Sequence, residues 1–148
     1  MDNNDWIDQY KQFHADQNTN YPGNNLKPQL QHILDLIKDM KPETLLDFGC
    51  GKGQQYSKWK HHEDMGIMPT LYDPAVPEFE TLPDGPFDGI ISTDVLEHIP
   101  EEQIPETINM ITKRADKFVF LAIATSPAIA ILPNGENAHC TRKPISWW

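Results

Sequence analysis

A short run of glycines at residues 44–54 constrains the fold of this chain more than any other feature. An apolar segment enters the run and ends at Asp47, and a helical pattern begins after it. Three glycines stand between them at alternate positions: Gly49, Gly51 and Gly53. Because glycine lacks a Cβ, the backbone can turn sharply there and a ligand can approach it closely. Such a turn lies at the carboxyl end of a strand, where α/β sheets bind ligands.

The spacing of these glycines excludes two common phosphate-binding loops. The dinucleotide fingerprint reads G-x-G-x-x-G/A, but the residue three positions beyond Gly51 is Gln54, and the third glycine comes one position early. The P-loop pattern G-x-x-x-x-G-K-[ST] is absent from the run as well. The glycine run therefore belongs to neither of these two phosphate-binding loops.

The run LLDFGCGKG at residues 45–53 resembles motif I of the class I S-adenosylmethionine-dependent methyltransferases. The resemblance implies that this loop receives the methionine end of the cofactor. The residues concerned are Asp47, Gly49, Cys50, Gly51 and Gly53. A carboxylate at the strand end suits a ligand that carries a sulfonium and an amino group. A glycine-rich turn in another kind of α/β protein is the alternative.

A second acidic residue, Asp73, ends the next predicted strand at 68–73, and Pro74 follows it directly. Cofactor-binding folds use a carboxylate about 20 residues further on to accept hydrogen bonds from ribose hydroxyls. Asp73 lies 26 residues beyond Asp47, which is compatible with that role. The alternative is ordinary Asp-Pro turn chemistry. Within the resemblance, Asp73 and Pro74 bind the cofactor, and Leu82 replaces a residue that flanks the adenine.

The segment DVLEHI at 94–99 provides a second match, because it resembles the motif IV region of many small-molecule methyltransferases of the same class. It follows an apolar strand that ends at Thr93, so its side chains are expected near the ligand crevice. The resemblance implies that Asp94 and Val95 contact the cofactor. The Asn/Asp-Pro-Pro-Tyr signature of enzymes that methylate nucleic-acid amino groups is absent from this position.

Three residues are candidates for catalysis. His98 is the best candidate for a general base, because an ordinary imidazole titrates near neutrality, although it could instead cap a turn. His139 lies in the loop after the last predicted strand, which overhangs the same crevice, or it is an exposed loop histidine. Glu97 either orients the substrate or begins a helix. Cys50 is not needed as a nucleophile, since direct methyl transfer forms no covalent enzyme intermediate.

The N-terminal region carries Trp6, Tyr10 and Phe13 at helical spacing. This helix either lies over the ligand mouth as a lid or packs on the sheet. Lys27 precedes the next helix, where it reaches the carboxylate of the cofactor or stays in solvent. The sequence predicts one domain over 1–148, with an N-terminal helix and lid at 1–27, a core at 28–125 and an irregular tail at 126–148.

Further elements follow from periodicity and turn signals. A helix is predicted at 54–62, with Tyr56 and Trp59 facing inward and His61 and His62 on the surface. Another helix is predicted at 105–116. The apolar run at 118–124 is typical of a parallel strand that is buried on both faces.

The alternation of strands and helices, together with the resemblance, predicts an α/β fold of the Rossmann-like class. Its sheet should be doubly wound, mostly parallel and flanked by helices. The antiparallel strand pair that usually ends this fold is missing from the sequence pattern. Trp147 and Trp148 at the end of the chain are expected to pack on the body or on a second subunit, which would make a homodimer.

Composition narrows the function further. The net charge of −10 disfavours nucleic-acid binding, which normally needs a basic face. No apolar run approaches the ~20 residues of a membrane helix, and two cysteines indicate a reducing cytoplasm.

We therefore expect an S-adenosylmethionine-dependent methyltransferase that moves the methyl group to a small-molecule acceptor, leaves S-adenosylhomocysteine and uses no metal. One alternative is a protein or nucleic-acid methyltransferase that depends on a partner. The other is a module that binds, sequesters or degrades S-adenosylmethionine.

Overall fold

The computed structural model describes residues 5–16 and 26–148. It contains one sheet of four parallel strands in the order β2-β1-β3-β4. The strands are β1 (Leu45–Phe48), β2 (Thr70–Tyr72), β3 (Phe87–Thr93) and β4 (Ala115–Ala122). β1 and β3 are central and mostly buried, and their apolar side chains (Leu45, Leu46, Phe48, Phe87, Ile90 and Ile91) lie in the core. The predicted Rossmann-like α/β fold is confirmed.

Five α-helices and three short 3₁₀ helices accompany the strands in the described residues. The α-helices are α1 (Asp5–Ala15), α2 (Leu30–Met40), α3 (Gln54–Ser57), α4 (His61–Met65) and α5 (Ile104–Thr112). The 3₁₀ helices are Lys27–Gln29, Leu96–His98 and Glu101–Gln103. None of the helices in these parts of the chain has the length and apolar character needed to cross a membrane.

The predicted helix at 54–62 is wrong in one respect, because it is divided into α3 and α4. Lys60 lies between them with a φ of 59°, in the left-handed region, which a continuous right-handed helix cannot contain. Tyr56 is buried as predicted, but Trp59 is exposed to 42%. The break also turns His61 inward, so that its predicted place on the surface is wrong.

The last helix and strand also differ from the prediction. α5 ends at Thr112, and β4 begins at Ala115. The early start has a physical cause, since the Phe87 N–H donates to the Arg114 carbonyl at 2.7 Å and pairing with β3 starts there. β4 is an edge strand of this sheet and is only half-buried, so the prediction of burial on both faces is wrong.

The N-terminal helix α1 lies against the carboxyl end of the sheet. Tyr10 and Phe13 are buried as the periodicity predicts. They pack in an apolar cluster with Ala75, which follows β2, and with Leu132 and Ala138 of the tail. α1 is therefore held between the loop after β2 and the chain that follows β4.

The tail at 126–148 has no helix or strand, but hydrogen bonds join it to the body. Asn137 closes a loop, because its side chain accepts from the Ala128 N–H at 3.0 Å and donates to the Ala128 carbonyl at 2.8 Å. The Thr141 N–H donates to the Glu97 carbonyl at 3.0 Å. Of the final tryptophans, Trp148 packs on the main apolar core and Trp147 is exposed to 42%.

Gly89 provides a test of the packing between β3 and β4. A Cβ at this position would lie 2.3 Å from Cζ of Phe118. We expect Gly89→Ala to lower the free energy of unfolding by about 1–3 kcal/mol, as overpacking of a core does, and urea denaturation would measure it. The cost should shrink in a Phe118→Leu background, where the ring is gone. Equal costs in both backgrounds would contradict the packing described here.

Candidate active site

A first cavity of about 170 Å³ lies between α1 and the carboxyl ends of β1, β2 and β3. Five of the residues predicted to bind the cofactor line it: Gly49, Asp73, Pro74, Asp94 and Val95. α1 closes it from above with Trp6, Ile7, Tyr10 and His14. The volume is below the ~300–1,000 Å³ of sites that enclose drug-sized ligands. α1 therefore covers the crevice closely.

The lining of the first cavity has a clear chemical character. It combines aromatic side chains such as Phe48 and Tyr72 with two carboxylates, Asp73 and Asp94, and none of the described residues that line it is Lys or Arg. A pyrophosphate would find no cation here. A ligand with a positive centre and hydroxyl groups would find carboxylate acceptors, so the residues present fit the cofactor that the sequence implies.

The turn after β1 approaches the loop after β3 very closely. Gly49 has a φ of 84°, and a Cβ added to it would lie 2.3 Å from Cγ2 of Val95. No other residue fits this position without moving Val95. Asp94 has a φ of 54°, in the left-handed region. Such strained residues persist where the surrounding structure fixes them, often at functional sites.

Asp73 is buried and held rigidly. One of its carboxylate oxygens accepts from the Gly51 N–H at 2.8 Å and the other from the Ala75 N–H at 2.9 Å. Burial raises the pKa of Asp73, and these two bonds partly oppose the rise. Burial lowers the pKa of His14, which the negative charge of Asp73 opposes. The carboxylate thus joins the glycine turn to the end of β2 at the cavity wall.

Asp47 does not line the first cavity, since it is completely buried beneath the glycine turn. Its Oδ2 accepts from the Tyr56 hydroxyl at 2.7 Å and from Gln55 Nε2 at 3.0 Å. Its Oδ1 has no hydrogen-bond partner. Burial raises the pKa of Asp47 to about 6. Here Asp47 anchors the turn to α3, which the sequence reasoning missed.

The remaining predicted cofactor residues stand away from the first cavity. Gly51 bonds to Asp73, and Gly53 lies against Leu71 and Phe79. Leu82 packs on the main core, and Lys27 is exposed. Cys50 is buried, and burial strongly raises the pKa of its thiol, which disfavours the thiolate form.

A second cavity of about 450 Å³ adjoins the first. The two share Trp6, Tyr10 and His98, which therefore form a common wall. Residues of the tail close the second cavity, among them His139 and Arg142. Three glutamates contribute negative charge: Glu101, Glu102 and Glu136.

His98 is buried in the common wall. Its Nδ1 lies 2.8 Å from the Ala138 carbonyl and 2.9 Å from the Tyr10 hydroxyl, which also donates to that carbonyl. The His139 ring stands edge-on to it, with 4.7 Å between the ring centroids. Burial is the main cause that lowers the pKa of His98 to about 4. The imidazole is thus neutral at pH 7 and a weaker base than an ordinary histidine.

The structure brings the three predicted catalytic residues together. Glu97 is fully buried, and its Oε1 accepts from the Ala124 N–H at 2.8 Å. Its Oε2 has no hydrogen-bond partner, and burial raises the pKa of the carboxyl to about 7. One nitrogen of His98, one of His139 and one Glu97 oxygen all lie within 4.8 Å of one another.

Two contributions to the site were missed or left open by the sequence reasoning. His14 lines the first cavity, and its position one turn beyond Tyr10 on α1 is the signal that could have revealed it. Gln103 also lines it and accepts from Trp6 Nε1 at 2.9 Å. No pattern in the sequence distinguishes Gln103 from a surface glutamine.

The chain matches a family model described as a methyltransferase domain over residues 23–134, which is well over half of its length. This match covers the glycine turn, Asp73 and the segment that follows β3. Neither a curated protein nor a solved structure gives a significant match.

The buried Asp47 predicts a specific dependence of stability on pH. With a folded-state pKa of about 6 against an ordinary value of 3.8, its contribution is largest below pH 3.8 and is lost as the pH rises through 6. Between pH 4 and 7.5 the wild type should lose about 2–3 kcal/mol of unfolding free energy relative to Asp47→Asn. Denaturation at each pH would measure this difference.

The matched control for this experiment is Asp39→Asn, because Asp39 is exposed on α2. That variant should follow the wild type across the whole pH range. Parallel curves for the wild type and Asp47→Asn would contradict the assignment.

Proposed function

The chain belongs to the class I S-adenosylmethionine-dependent methyltransferases, and from this membership we propose that it methylates a small polar molecule held in the second cavity. One observation carries the proposal. His98, Tyr10 and Trp6 line both cavities, so the cavities adjoin, and a movement of α1, which carries Trp6 and Tyr10, would join them and let an acceptor in the second reach the methyl group of a donor in the first.

Residues of the first cavity would hold the donor. When bound, S-adenosylmethionine supplies a methyl group activated by its sulfonium. Asp73 would accept hydrogen bonds from its ribose hydroxyls, because the carboxylate is fixed at the end of β2 and lines the cavity. Gly49 and Val95 would pack against it, and Asp94 adds negative charge suited to a cationic ligand.

α1 acts as the lid in this proposal. It closes the first cavity with Trp6, Tyr10 and His14, and the enclosed space is small for a nucleoside ligand. An outward movement of α1 would admit the donor, and α1 would then cover the bound donor from a position further out than the one it has here, which would exclude water. A closed site aligns the reacting groups and limits competing hydrolysis.

The second cavity would hold the acceptor. Its volume lies in the range of small-molecule sites, and its three glutamates and one arginine favour a polar molecule over a nucleic acid. His98 and His139 line this cavity, and His98 also lines the donor cavity. Alignment of the acceptor with the methyl group is the main contribution of the chain, as in other in-line displacements.

A partner-dependent protein methyltransferase is the second candidate. The observation in its favour is a set of exposed apolar side chains in the tail: Ile129, Ile131, Ile145 and Trp147. Such residues mark a binding surface when they are contiguous. The same surface would serve a homodimer through Trp147, whereas Trp148, the other tryptophan predicted to form the dimer, packs on the core of its own chain. The cytoplasm remains the proposed compartment, supported by the free state of Cys50 and Cys140.

Donor binding is tested by calorimetric titration with S-adenosylmethionine, S-adenosylhomocysteine and NAD. The wild type should bind the first two and not NAD. Asp73→Ala should weaken binding about 10- to 100-fold, because hydrogen bonds to a charged group are lost. Asp39→Ala, which removes an exposed carboxylate from α2, should bind like the wild type.

Asp73 also holds the glycine turn, so the melting temperature of each variant must be measured beside its affinity. Unchanged affinity in a folded Asp73→Ala protein would remove Asp73 from the donor site. Binding of NAD with equal affinity would contradict the proposed ligand chemistry.

Methyl transfer is tested with methyl-labelled S-adenosylmethionine and fractions of small metabolites. Label should move to a small molecule, and Arg142→Ala, which changes the second cavity alone, should raise the KM for that acceptor with little change in donor affinity. Label transferred only to protein would favour the partner-dependent candidate. Donor consumption without any acceptor would favour a degrading module.

A further inference from the structure

A cluster of two histidines and one glutamate lies in and beside the wall between the two cavities. His98 and Glu97 come from the 3₁₀ helix after β3, and His139 comes from the tail. One potential ligand atom from each lies within 4.8 Å of the other two. His98 lines both cavities and His139 lines the second.

The hydrogen bonds of the two histidines fix which nitrogen is available. His98 Nδ1 faces the Ala138 carbonyl at 2.8 Å, and His139 Nδ1 faces the Ser126 carbonyl at 2.6 Å. A carbonyl oxygen can only accept, so each Nδ1 carries the proton and each Nε2 keeps its lone pair. Histidines that bind metals commonly donate their other ring N–H to a backbone carbonyl in this way.

Glu97 supplies an independent sign that the cluster can bind a ligand. The residue is fully buried, and Oε1 is engaged by the Ala124 N–H at 2.8 Å, whereas Oε2 has no hydrogen-bond partner. Burying a carboxylate oxygen without a partner is costly. The three glutamates of the second cavity are not buried in this manner.

We propose that Glu97, His98 and His139 bind a divalent transition-metal ion such as Zn²⁺. Two imidazole nitrogens and one carboxylate oxygen are a ligand set that such ions accept, with at least one coordination position left open. Mg²⁺ and Ca²⁺ prefer oxygen ligands alone. For metal–ligand bonds of about 2.0–2.1 Å, the ligand atoms would draw together by about 1.5 Å at most.

The position of His139 allows its side chain to make this movement toward the other two residues. It is half-exposed on a loop whose backbone is held nearby, because the His139 N–H donates to Asn137 Oδ1 at 3.0 Å and the Thr141 N–H donates to the Glu97 carbonyl. No metal was expected from the sequence. The third residue of the cluster, His139, lies 41 positions beyond His98 in an irregular tail, so no local spacing marks the set.

The open coordination position also suggests which kind of acceptor the enzyme methylates, and this point rests on the proposed function. An ion held by His98 and His139 would face the second cavity, where it could bind an oxygen of the acceptor. A bound metal lowers the pKa of such an oxygen and makes it a better nucleophile at neutral pH. An acceptor with a hydroxyl group would then be preferred over an amine.

The metal site is tested by titration of tag-free, chelator-treated protein with Zn²⁺ by calorimetry and with Co²⁺ by visible absorption. We expect one ion per chain and a rise in melting temperature with added Zn²⁺, because the ion binds the folded state. His139→Ala should weaken Zn²⁺ binding at least tenfold and alter the Co²⁺ spectrum. Glu97→Gln should also weaken it.

The matched control is His32→Ala, since His32 is exposed on α2 away from the cluster. It should bind Zn²⁺ like the wild type. Absence of binding by folded wild type, or equal affinity in His139→Ala, would overturn the metal site even if Glu97→Gln fails to fold. Metal binding without methyl transfer to any acceptor would leave the site standing and remove the proposed function instead.

Discussion

The close approach of Gly49 to Val95 is the contact on which the rest of this site depends. It exists because residue 49 has no Cβ, which would lie 2.3 Å from a Val95 methyl carbon. The contact brings the turn after β1 against the loop after β3 at one edge of the sheet. Asp94 therefore faces the first cavity, and the 3₁₀ helix that follows carries Glu97 and His98 beneath α1. A larger residue at position 49 would separate these two loops.

The parts of the fold that depend on a short local pattern of residues could be predicted from the sequence. The glycine turn, the acidic end of β2 and the apolar run of β3 each carry their own pattern, so the Rossmann-like fold and the family followed from them. Errors arose where a single backbone angle or a pairing partner decides the outcome. Lys60 breaks a helix that periodicity makes continuous, and β4 is half-exposed because it forms the edge of the sheet.

The arrangement of the candidate catalytic groups could be anticipated only in part. His98 and Glu97 follow a strand end and were expected at the crevice. No sequence pattern around His139, however, predicts that its ring contacts His98. That contact depends on the tail, whose bonds through Asn137 and Thr141 are specific to this fold. For Asp47 the reverse holds. Its place in the motif was recognised from the sequence, but the hydrogen bonds that Tyr56 and Gln55 donate to it were not predicted.

The common wall also has a kinetic consequence. Tyr10 packs its ring on His98 and donates to the Ala138 carbonyl, so α1 forms part of the wall of both compartments. A displacement of α1 that opens one compartment removes part of the wall of the other. We therefore expect the departure of one product to alter the wall that holds the other, so that movement of α1 couples the two departures.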